Sequence, residues 1–389
     1  MSNELWIFLI IASLVIVPKI FLRYGIPEPL TAFVLGLMPM IFGYELLGNE
    51  NLNLLAILGI TSLFLYAGTE VNIRHLIKEK QRIVVHLCIK VVILMGLVAL
   101  LMNFYPVDFG VGLLLALAIM TPSTGFIVNT LPRLHLSGDE SFWVTNKAIA
   151  SEIVALLLMF IALQLIYPDV TSTNVGLNVL ALAGLLMILP IIFSFLGKVV
   201  IPYAPGSEFS LLIVMGVLAG YSTKLLGVYY LVGAFLVGLI AVMLKHKLPT
   251  MASIKNIEAI GLFTSFFIPF YFFISGTRFP QEAFTVEAFL FGFLLLAIVV
   301  PIRWLVIWAQ RRLLHDESQV SSFRITIALT PTLIFTLVIA EILLNEDLIH
   351  TNIYGGLMAY AVLNTILPTI FFALFKLKNE ETTHEHGHN

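Results

Sequence analysis

The feature that most constrains this chain is a succession of apolar runs, each about 20 residues long, that continues along the whole sequence. A helix of about 20 residues crosses a bilayer core about 30 Å thick. Charged residues make up 11% of the chain, against about 25% in soluble domains, which is too few to cover a water-facing surface. No small-residue cleavage pattern follows the first run, which therefore reads as a retained helix. The sequence predicts an all-α integral membrane protein.

The apolar runs predict about thirteen transmembrane helices. They lie near residues 4–22, 27–44, 52–70, 82–104, 108–131, 142–167, 174–198, 207–226, 229–244, 256–275, 284–312, 322–344 and 351–375. Between them, one side holds only Lys224 and Arg278, and the other holds Lys19, Arg23, Arg74, Lys78, Lys80, Arg82, Arg133, Lys198, Lys245, Lys247, Lys255, Arg311, Arg312, Arg324, Lys376 and Lys378. Because positively charged loops stay inside, we expect a multi-pass protein of the cell (inner) membrane, with its N-terminus outside and its C-terminus in the cytoplasm.

Three matches in the same order indicate an internal repeat. Residues 25–37 match residues 227–239, Gly68-Thr69 matches Gly276-Thr277, and residues 121–124 (TPST) match residues 330–332 (TPT). The alternative is that apolar helices resemble one another by composition alone. The repeat divides the chain into residues 1–173 (spans 1–6), a connecting helix at 174–206, residues 207–377 (spans 8–13) and a polar cytoplasmic tail at 378–389.

The number of spans that separate the two repeats determines their relative orientation. The second repeat begins an odd number of spans after the first, so the sequence predicts two inverted six-helix repeats. Inverted repeats are typical of secondary transporters, whose binding sites lie at the repeat interface near the middle of the membrane. We expect no enzyme activity and no cofactor. The histidines at the end of the tail are read as solvated rather than as a metal site.

The paired TPST and TPT segments predict two broken helices, one in each repeat. Proline removes a backbone donor and clashes with the preceding turn, so it interrupts a helix. In a membrane the freed carbonyl groups must bind protein, water or an ion. Hydroxyl side chains surround both interruptions, namely Thr121, Ser123, Thr124, Thr330 and Thr332. The simpler alternative is a pair of proline kinks satisfied by neighbouring hydroxyls, but two at equivalent positions favour a binding site.

Glu152 is the most central carboxylate, about 15 Å along the sixth predicted span. A buried acid that binds a proton or a cation in turn has the chemistry that an exchanger needs, and acids inside membranes are usually functional. Arg303 lies at a similar depth and requires a counter-charge or several carbonyl partners. Lys147 shares a helix face with Ser151 and either lines an inner vestibule or extends to the interface. We expect Lys90 to reach the interface in the same way.

The segment Leu63–Glu70 (LFLYAGTE), the broken helices and Ala150-Ser151-Glu152 together resemble the monovalent cation/proton antiporter superfamily, with its bacterial sodium/proton exchanger fold, over about residues 5–375. The family usually has an Asn-Asp or Asp-Asp pair whose second acid binds the ion; Glu152 falls on that position and Ser151 on the first. Arg303 falls on a helix where members carry Lys or Arg. The resemblance also implies a homodimer with a moving broken-helix bundle, and a single acid implies electroneutral exchange.

These observations predict a secondary transporter that exchanges Na⁺ or K⁺ for H⁺ by alternating access. Glu152, Ser151 and the hydroxyls Thr121, Ser123, Thr124, Thr330 and Thr332 would bind the cation or proton, supported by the charges of Arg303 and Lys147. The only metal expected is the transported cation. A sodium-coupled organic-anion symporter on a related inverted-repeat fold is the alternative, and a channel or a receptor is a third. Nucleic acid is not an expected partner.

Overall fold

A computed structural model describes residues 3–41, 50–71, 78–166, 175–225, 230–313 and 319–385, and these contain helices and no strands. In the first half the helices are α1 (Asn3–Arg23), α2 (Glu28–Ile41), α3 (Glu50–Thr69), α4 (Lys80–Phe104), α5 (Phe109–Met120), α6 (Thr124–Thr130), α7 (Gly138–Ile166) and α8 (Val175–Phe195). In the second half they are α9 (Glu208–Leu225), α10 (Tyr230–Met243), α11 (Ile254–Thr277), α12 (Val286–Leu313), α13 (Gln319–Ala328), α14 (Leu333–Asn345) and α15 (Thr351–Glu385).

A helix overlaps every predicted span, but not every helix is by itself long and apolar enough to cross a bilayer. Within the described residues, eight helical segments meet that requirement, one of which (Phe109–Val128) includes α5, the first interruption and most of α6. The number is nine when the bent pair α13 and α14 counts as one span. Both α2 and α10 have 14 residues; α2 ends, and α10 begins, beside residues outside the described ranges. The all-helical membrane architecture agrees with the sequence, and the number thirteen remains a prediction.

The chain divides into two compact units that each combine helices from both halves of the sequence. One unit consists of residues 1–22, 28–78 and 156–279, and the other of residues 23–27, 79–155 and 280–389. These units reflect spatial packing, whereas the predicted repeats reflect sequence order. The boundaries predicted at 173, 206 and 377 therefore remain a prediction.

In the unit that contains α2, α3, α10 and α11, two glycine pairs allow helices to cross closely. A Cβ added to Gly36 would overlap the carbonyl oxygen of Phe273 and lie 2.9 Å from the Cα of Gly276. A Cβ added to Gly238 would overlap the carbonyl oxygen of Leu65 and lie 3.1 Å from the carbonyl carbon of Gly68. Small residues allow this approach between membrane helices. All four glycines belong to the segments that predicted the repeat.

The other unit contains the two interrupted helices, with α5 packed against α4 and α14, and α15 against α12, α13 and α14. Its α7 begins at a reciprocal cap, in which Ser137 N donates to Glu140 Oε2 (2.8 Å) and Glu140 N donates to Ser137 Oγ (3.2 Å). Helix α15 continues to Glu385, so residues 378–385 are helical rather than an irregular tail. The final residues 386–389 lie outside the described part, and the structure says nothing of a metal site there.

Candidate functional site

The first interruption, residues 121–123, separates α5 from α6. Thr121 and Ser123 have extended backbones, with φ −91° and ψ 116° at Thr121 and φ −88° and ψ 95° at Ser123. Pro122 has no N–H with which to continue the helix, which leaves the carbonyl of Ala118 without its usual partner. Thr336 Oγ1 donates to that carbonyl at 2.7 Å. A hydroxyl from the other interrupted helix thus takes the place of a lost backbone bond.

The second interruption, residues 329–332, separates α13 from α14, which are bent relative to each other by 44°. Thr330 Oγ1 donates to the carbonyls of Ile327 (2.7 Å) and Asn364 (3.1 Å). Ile327 is the residue whose carbonyl would have paired with an N–H at Pro331. Here the missing bond to Ile327 is replaced from within the same segment, and the same hydroxyl also contacts a carbonyl of α15.

The two interruptions contact each other directly. Ser123 N donates to the carbonyl of Pro331 at 2.8 Å, and Ser123 Oγ accepts from Ile334 N at 3.2 Å. Thr121, Ser123, Thr124, Thr330 and Thr332 are all buried. The structure therefore brings the hydroxyl residues of both predicted breaks into one cluster. Thr121 Oγ1 has no hydrogen-bond partner within the described residues.

Glu152 lies beside the first interruption and is 4% exposed. Thr124 N, at the start of α6, donates to Glu152 Oε2 at 3.1 Å. The first N–H groups of a helix have no partner inside that helix and carry partial positive charge, which suits a carboxylate. Ser151, the preceding residue, is also buried.

Asn364 on α15 has the corresponding position at the second interruption. Thr332 N donates to Asn364 Oδ1 at 3.2 Å, and Asn364 Nδ2 donates to Thr332 Oγ1 at 2.7 Å. Asn364 was not among the residues predicted from the sequence. The available signal was an amide in an apolar run on the last helix of the second predicted repeat, where Glu152 stands on the last helix of the first.

Arg303 on α12 binds the carbonyl ends of both interrupted helices. Its Nη1 donates to the carbonyls of Leu329 (2.7 Å) and Thr330 (3.5 Å), and its Nη2 donates to that of Ile119 (2.8 Å). Tyr360 Oη donates to the same Ile119 oxygen at 2.8 Å. The C-terminal carbonyls of a helix carry partial negative charge, so one guanidinium stabilises two helix ends. These are the carbonyl partners that the sequence required for Arg303.

Lys90 requires a correction, because we expected it to extend to the membrane interface. It is 8% exposed, and its Nζ lies 3.5 Å from the carbonyl oxygen of Ser151. The mistake has a simple physical origin: a side chain within reach of the interface turns inward when its helix face points at polar groups. His86 precedes Lys90 by one turn on the same face, and the structure buries it too.

Lys147 on α7 is 3% exposed and also lies inside the unit. Its Nζ donates to Gln310 Oε1, lies 3.4 Å from His86 Nδ1 and is 4.5 Å from the centre of the Trp143 ring. His86 Nδ1 is 3.2 Å from the same Gln310 oxygen. Of the two alternatives left open for Lys147, the structure favours the internal position.

A cavity of about 50 Å³ opens among these side chains. It is lined by His86, Lys90 and Ile93 of α4, Lys147 and Ser151 of α7, Arg303, Val306 and Ile307 of α12, and Met120, Pro122 and Leu329 near the interruptions. A space of this size holds a few water molecules or a partly hydrated ion. A smaller cavity shares His86 and Lys147 with it and extends along α4 and α7 to Glu79 and Phe142.

The chemistry of this cluster suits a small cation better than a bound metal cofactor. Within the described ranges, no group of three or more His, Cys, Asp or Glu side chains is placed to hold a metal ion. The cluster instead combines one buried carboxylate with hydroxyl and carbonyl oxygens, the ligand type that hard cations prefer. It thus has the components of a transient oxygen-lined site.

Comparisons with known proteins agree with this description. A family model described as "Sodium/hydrogen exchanger, transmembrane" matches residues 9–377. The chain is 25% identical over 288 residues to the probable Na(+)/H(+) antiporter 3 of Methanocaldococcus jannaschii, covering 71% of this chain and 72% of that protein. Its fold is similar to that of the sodium proton antiporter MjNhaP1 of the same organism at pH 8, with a TM-score of 0.73, 15% identity and coverage of 96% and 97% of the two chains.

These relatives favour exchange over the organic-anion symport that the sequence left as an alternative. The family match spans nearly the whole chain, including both interruptions and Glu152. The chain therefore belongs to the sodium/hydrogen exchanger family of membrane antiporters, within the monovalent cation/proton antiporter superfamily that its sequence motifs resemble.

Proposed function

We propose that this antiporter exchanges one monovalent cation, Na⁺ or K⁺, for one H⁺ by alternating access, and that Glu152 binds the cation and the proton in turn. The observation that carries the proposal is the position of Glu152. Its carboxylate is buried and accepts a hydrogen bond from Thr124 N, where one interrupted helix resumes beside the other. A carboxylate withdrawn from water needs either a proton or a cation nearby, which makes the two ligands mutually exclusive.

The oxygen atoms around Glu152 support a cation as the second ligand. Thr121 Oγ1 is buried and has no hydrogen-bond partner in the described structure, so its lone pairs remain available. Ser151 borders the cavity, while the carbonyls of Ala118 and Ile327, which lose their helical partners at the prolines, already accept from Thr336 Oγ1 and Thr330 Oγ1. Ser123, Thr124, Thr330 and Thr332 would hold the interruptions in shape around this shell.

Electroneutral exchange follows if Glu152 is the only group that changes protonation during the cycle. It would cross once as a neutral acid and once as a carboxylate paired with a monovalent cation, so both loaded forms have the same charge. Arg303 would add a constant charge to each form, and Lys147 is the candidate for a second titrating group, which would break this balance. The membrane potential, which acts on moved charge at about 2.3 kcal/mol per charge per 100 mV, would then not shift the equilibrium.

One pair of equivalent contacts supports the inverted repeat on which alternating access depends. Gly36 contacts Gly276 as Gly238 contacts Gly68, and the repeat matches Gly36 to Gly238 and Gly68 to Gly276. A similar contact, displaced by one residue in the repeat match, lies near each interruption, where Thr124 N donates to Glu152 and Thr332 N donates to Asn364. The proposal includes a homodimer in the cell membrane, with the N-terminus outside and the C-terminus in the cytoplasm.

Purified protein in liposomes with an internal pH dye tests the proposal. Addition of Na⁺, K⁺, Li⁺ or Rb⁺ to proton-loaded liposomes should produce saturable alkalinisation of the lumen with at least one of these ions. A potassium–valinomycin diffusion potential, applied with Na⁺ as the transported ion, should leave the final pH gradient unchanged. A gradient that follows the imposed voltage would contradict one-for-one exchange, and no response to any of the four ions would contradict the function.

A further inference from the structure

We infer that His86 is a positioning residue for the ion site, because it accepts the hydrogen bond of the Ser151 hydroxyl and so leaves only oxygen lone pairs of Ser151 for a cation in the cavity. The inference rests on the proposed function, in which Ser151 and Glu152 bind the transported cation. It follows from a chain of contacts that runs from Lys147 through Gln310 and His86 to Ser151.

The first contact orients the amide of Gln310. Lys147 Nζ can donate hydrogen bonds but has no role as an acceptor while it is charged, and it contacts Gln310 Oε1. An amide turned the other way would set its NH₂ group against this donor. Gln310 Nε2 is buried and makes no hydrogen bond within the described residues, so the NH₂ group does not contribute to the orientation of the amide. Lys147 therefore determines which amide atom faces His86.

The second contact determines the tautomer of His86. Two groups face His86 Nδ1: Gln310 Oε1 at 3.2 Å, which only accepts hydrogen bonds, and Lys147 Nζ at 3.4 Å, which donates. Because Lys147 Nζ already donates to Gln310 Oε1 and lies farther from the ring, we assign Nδ1 as a second donor to the same oxygen, so that Nδ1 carries the proton. In a neutral imidazole the other nitrogen is then an acceptor. The ring is buried and lines the cavity together with the basic side chains of Lys90, Lys147 and Arg303, and its removal from water favours a neutral ring.

The third contact orients the Ser151 hydroxyl. His86 Nε2 lies 3.1 Å from Ser151 Oγ, and because this nitrogen accepts, the hydroxyl must donate. The hydroxyl has one proton and two lone pairs, so both lone pairs remain for other partners. Ser151 borders the cavity beside Glu152 in sequence, which is where the cation would be bound. Without His86 the hydroxyl can rotate and present its proton to the cation.

Cation-concentration curves in proteoliposomes test this role. We would compare His86→Leu and His86→Phe, which remove the acceptor, with His86→Gln, whose amide oxygen can replace it, and with Ser151→Ala. Because one oriented ligand contributes roughly the free energy of one hydrogen bond, the apparent KM for the cation should rise about five- to tenfold in the Leu, Phe and Ala variants. The maximal rate should change less than about twofold, and the Gln variant should recover most of the affinity.

A double variant separates positioning from a general structural effect. His86→Leu combined with Ser151→Ala should bind the cation no more weakly than Ser151→Ala alone, because both changes act through the same oxygen. Val92→Leu, on the exposed face of α4, is the matched control and should leave the KM unchanged. Melting curves in detergent identify the variants that fold.

Two results would overturn the inference: a KM that stays at the wild-type value in folded His86→Leu or His86→Phe protein, or losses of affinity from His86 and Ser151 that add in the double variant. Either result, with wild-type exchange intact and Glu152→Gln inactive, would leave the proposed function standing. Full activity of folded Glu152→Gln protein would instead overturn the proposed function itself.

Discussion

The two interrupted helices have similar backbone contacts, but different side chains accept their hydrogen bonds. Close to each interruption, a backbone N–H donates to a side chain from another helix: Thr124 N to the Glu152 carboxylate at the first, and Thr332 N to the Asn364 amide oxygen at the second. Asn364 also donates to Thr332 Oγ1, and Thr332 Oγ1 pairs with Thr336 Oγ1 at 2.8 Å. At the first interruption, Thr121 Oγ1 has no partner within the described chain.

The comparison shows that two similar backbone interruptions can have different roles. At the second interruption, neutral groups satisfy one another, so the segment is closed in the manner of a well-packed protein interior. At the first, the Glu152 carboxyl group can ionise, and the hydroxyls of Thr121 and Thr124 make no hydrogen bond within the described residues. We therefore propose that the ion binds at the first interruption and that the second has a supporting role.

The largest effect is expected when the first interruption is made to resemble the second. Glu152→Gln keeps the size of the side chain and an acceptor for Thr124 N but removes the titratable group. Cation-driven alkalinisation should fall to the level of empty liposomes, while melting in detergent stays close to that of the wild type. The exposed Glu258→Gln serves as the control and should transport normally. Substantial exchange by folded Glu152→Gln protein would be incompatible with a single-carboxylate mechanism.

Arg303 joins the two interruptions, and its removal should weaken both at once. Arg303→Met leaves the carbonyls of Ile119 and Leu329 without their guanidinium donor. Because buried charged hydrogen bonds are lost, we expect the free energy of unfolding to fall by about 3 kcal/mol, seen as a lower melting temperature in detergent. Arg312→Met, at an exposed position of the same helix, should have little effect. Equal melting of the two variants would refute this joining role.

The complementary variant is Asn364→Asp, which places an acid at the second interruption and so makes it resemble the first. If this acid ionises during the cycle, the two loaded forms no longer carry equal charge. The final pH gradient of the variant should then shift with an imposed potassium–valinomycin potential, with Na⁺ as the transported ion, while that of the wild type does not. A voltage-independent Asp variant would show that the added acid keeps one protonation state throughout the cycle.

The smallest effects distinguish hydroxyls that bind protein from those left for an ion. Thr332→Val removes the contacts with Asn364 and Thr336, so unfolding should become easier by about 1–2 kcal/mol. Thr121→Val removes a hydroxyl that has no partner in the described structure, so stability should change by less than about 0.5 kcal/mol. The Thr121 variant should instead raise the apparent KM for the cation. A larger loss of stability in Thr121→Val than in Thr332→Val would refute the view that the Thr332 hydroxyl binds protein and the Thr121 hydroxyl is left for an ion.

The interruptions and the central acid were predictable because each depends on local chemistry. A proline inside an apolar run interrupts a helix wherever that helix packs, and a carboxylate in such a run is costly unless it has a function. The need of Arg303 for a counter-charge or several carbonyl partners was predictable for the same reason, and the structure provides carbonyls. The family resemblance of Leu63–Glu70 and Ala150-Ser151-Glu152 was confirmed by a match over residues 9–377.

Lys90, His86, Gln310 and Asn364 show where the sequence was insufficient. Their positions along each helix were known, but the direction in which a helix face points depends on the neighbours that pack against it. Lys90 could reach the interface or turn inward, and the groups that favour the inward position belong to α7, far away in sequence. The same holds for Asn364, whose partners lie on α14.

The amino-acid order of this chain thus established a helical membrane antiporter with two interrupted helices and one central carboxylate. These properties depend on the cost of placing polar groups in lipid, which acts on each segment separately. Tertiary packing decided which polar groups meet: Glu152 with Thr124, Asn364 with Thr332, and His86 with Ser151 and Gln310. A hydrogen bond extends only about 3 Å, so these partnerships exist only after distant helices have been brought together.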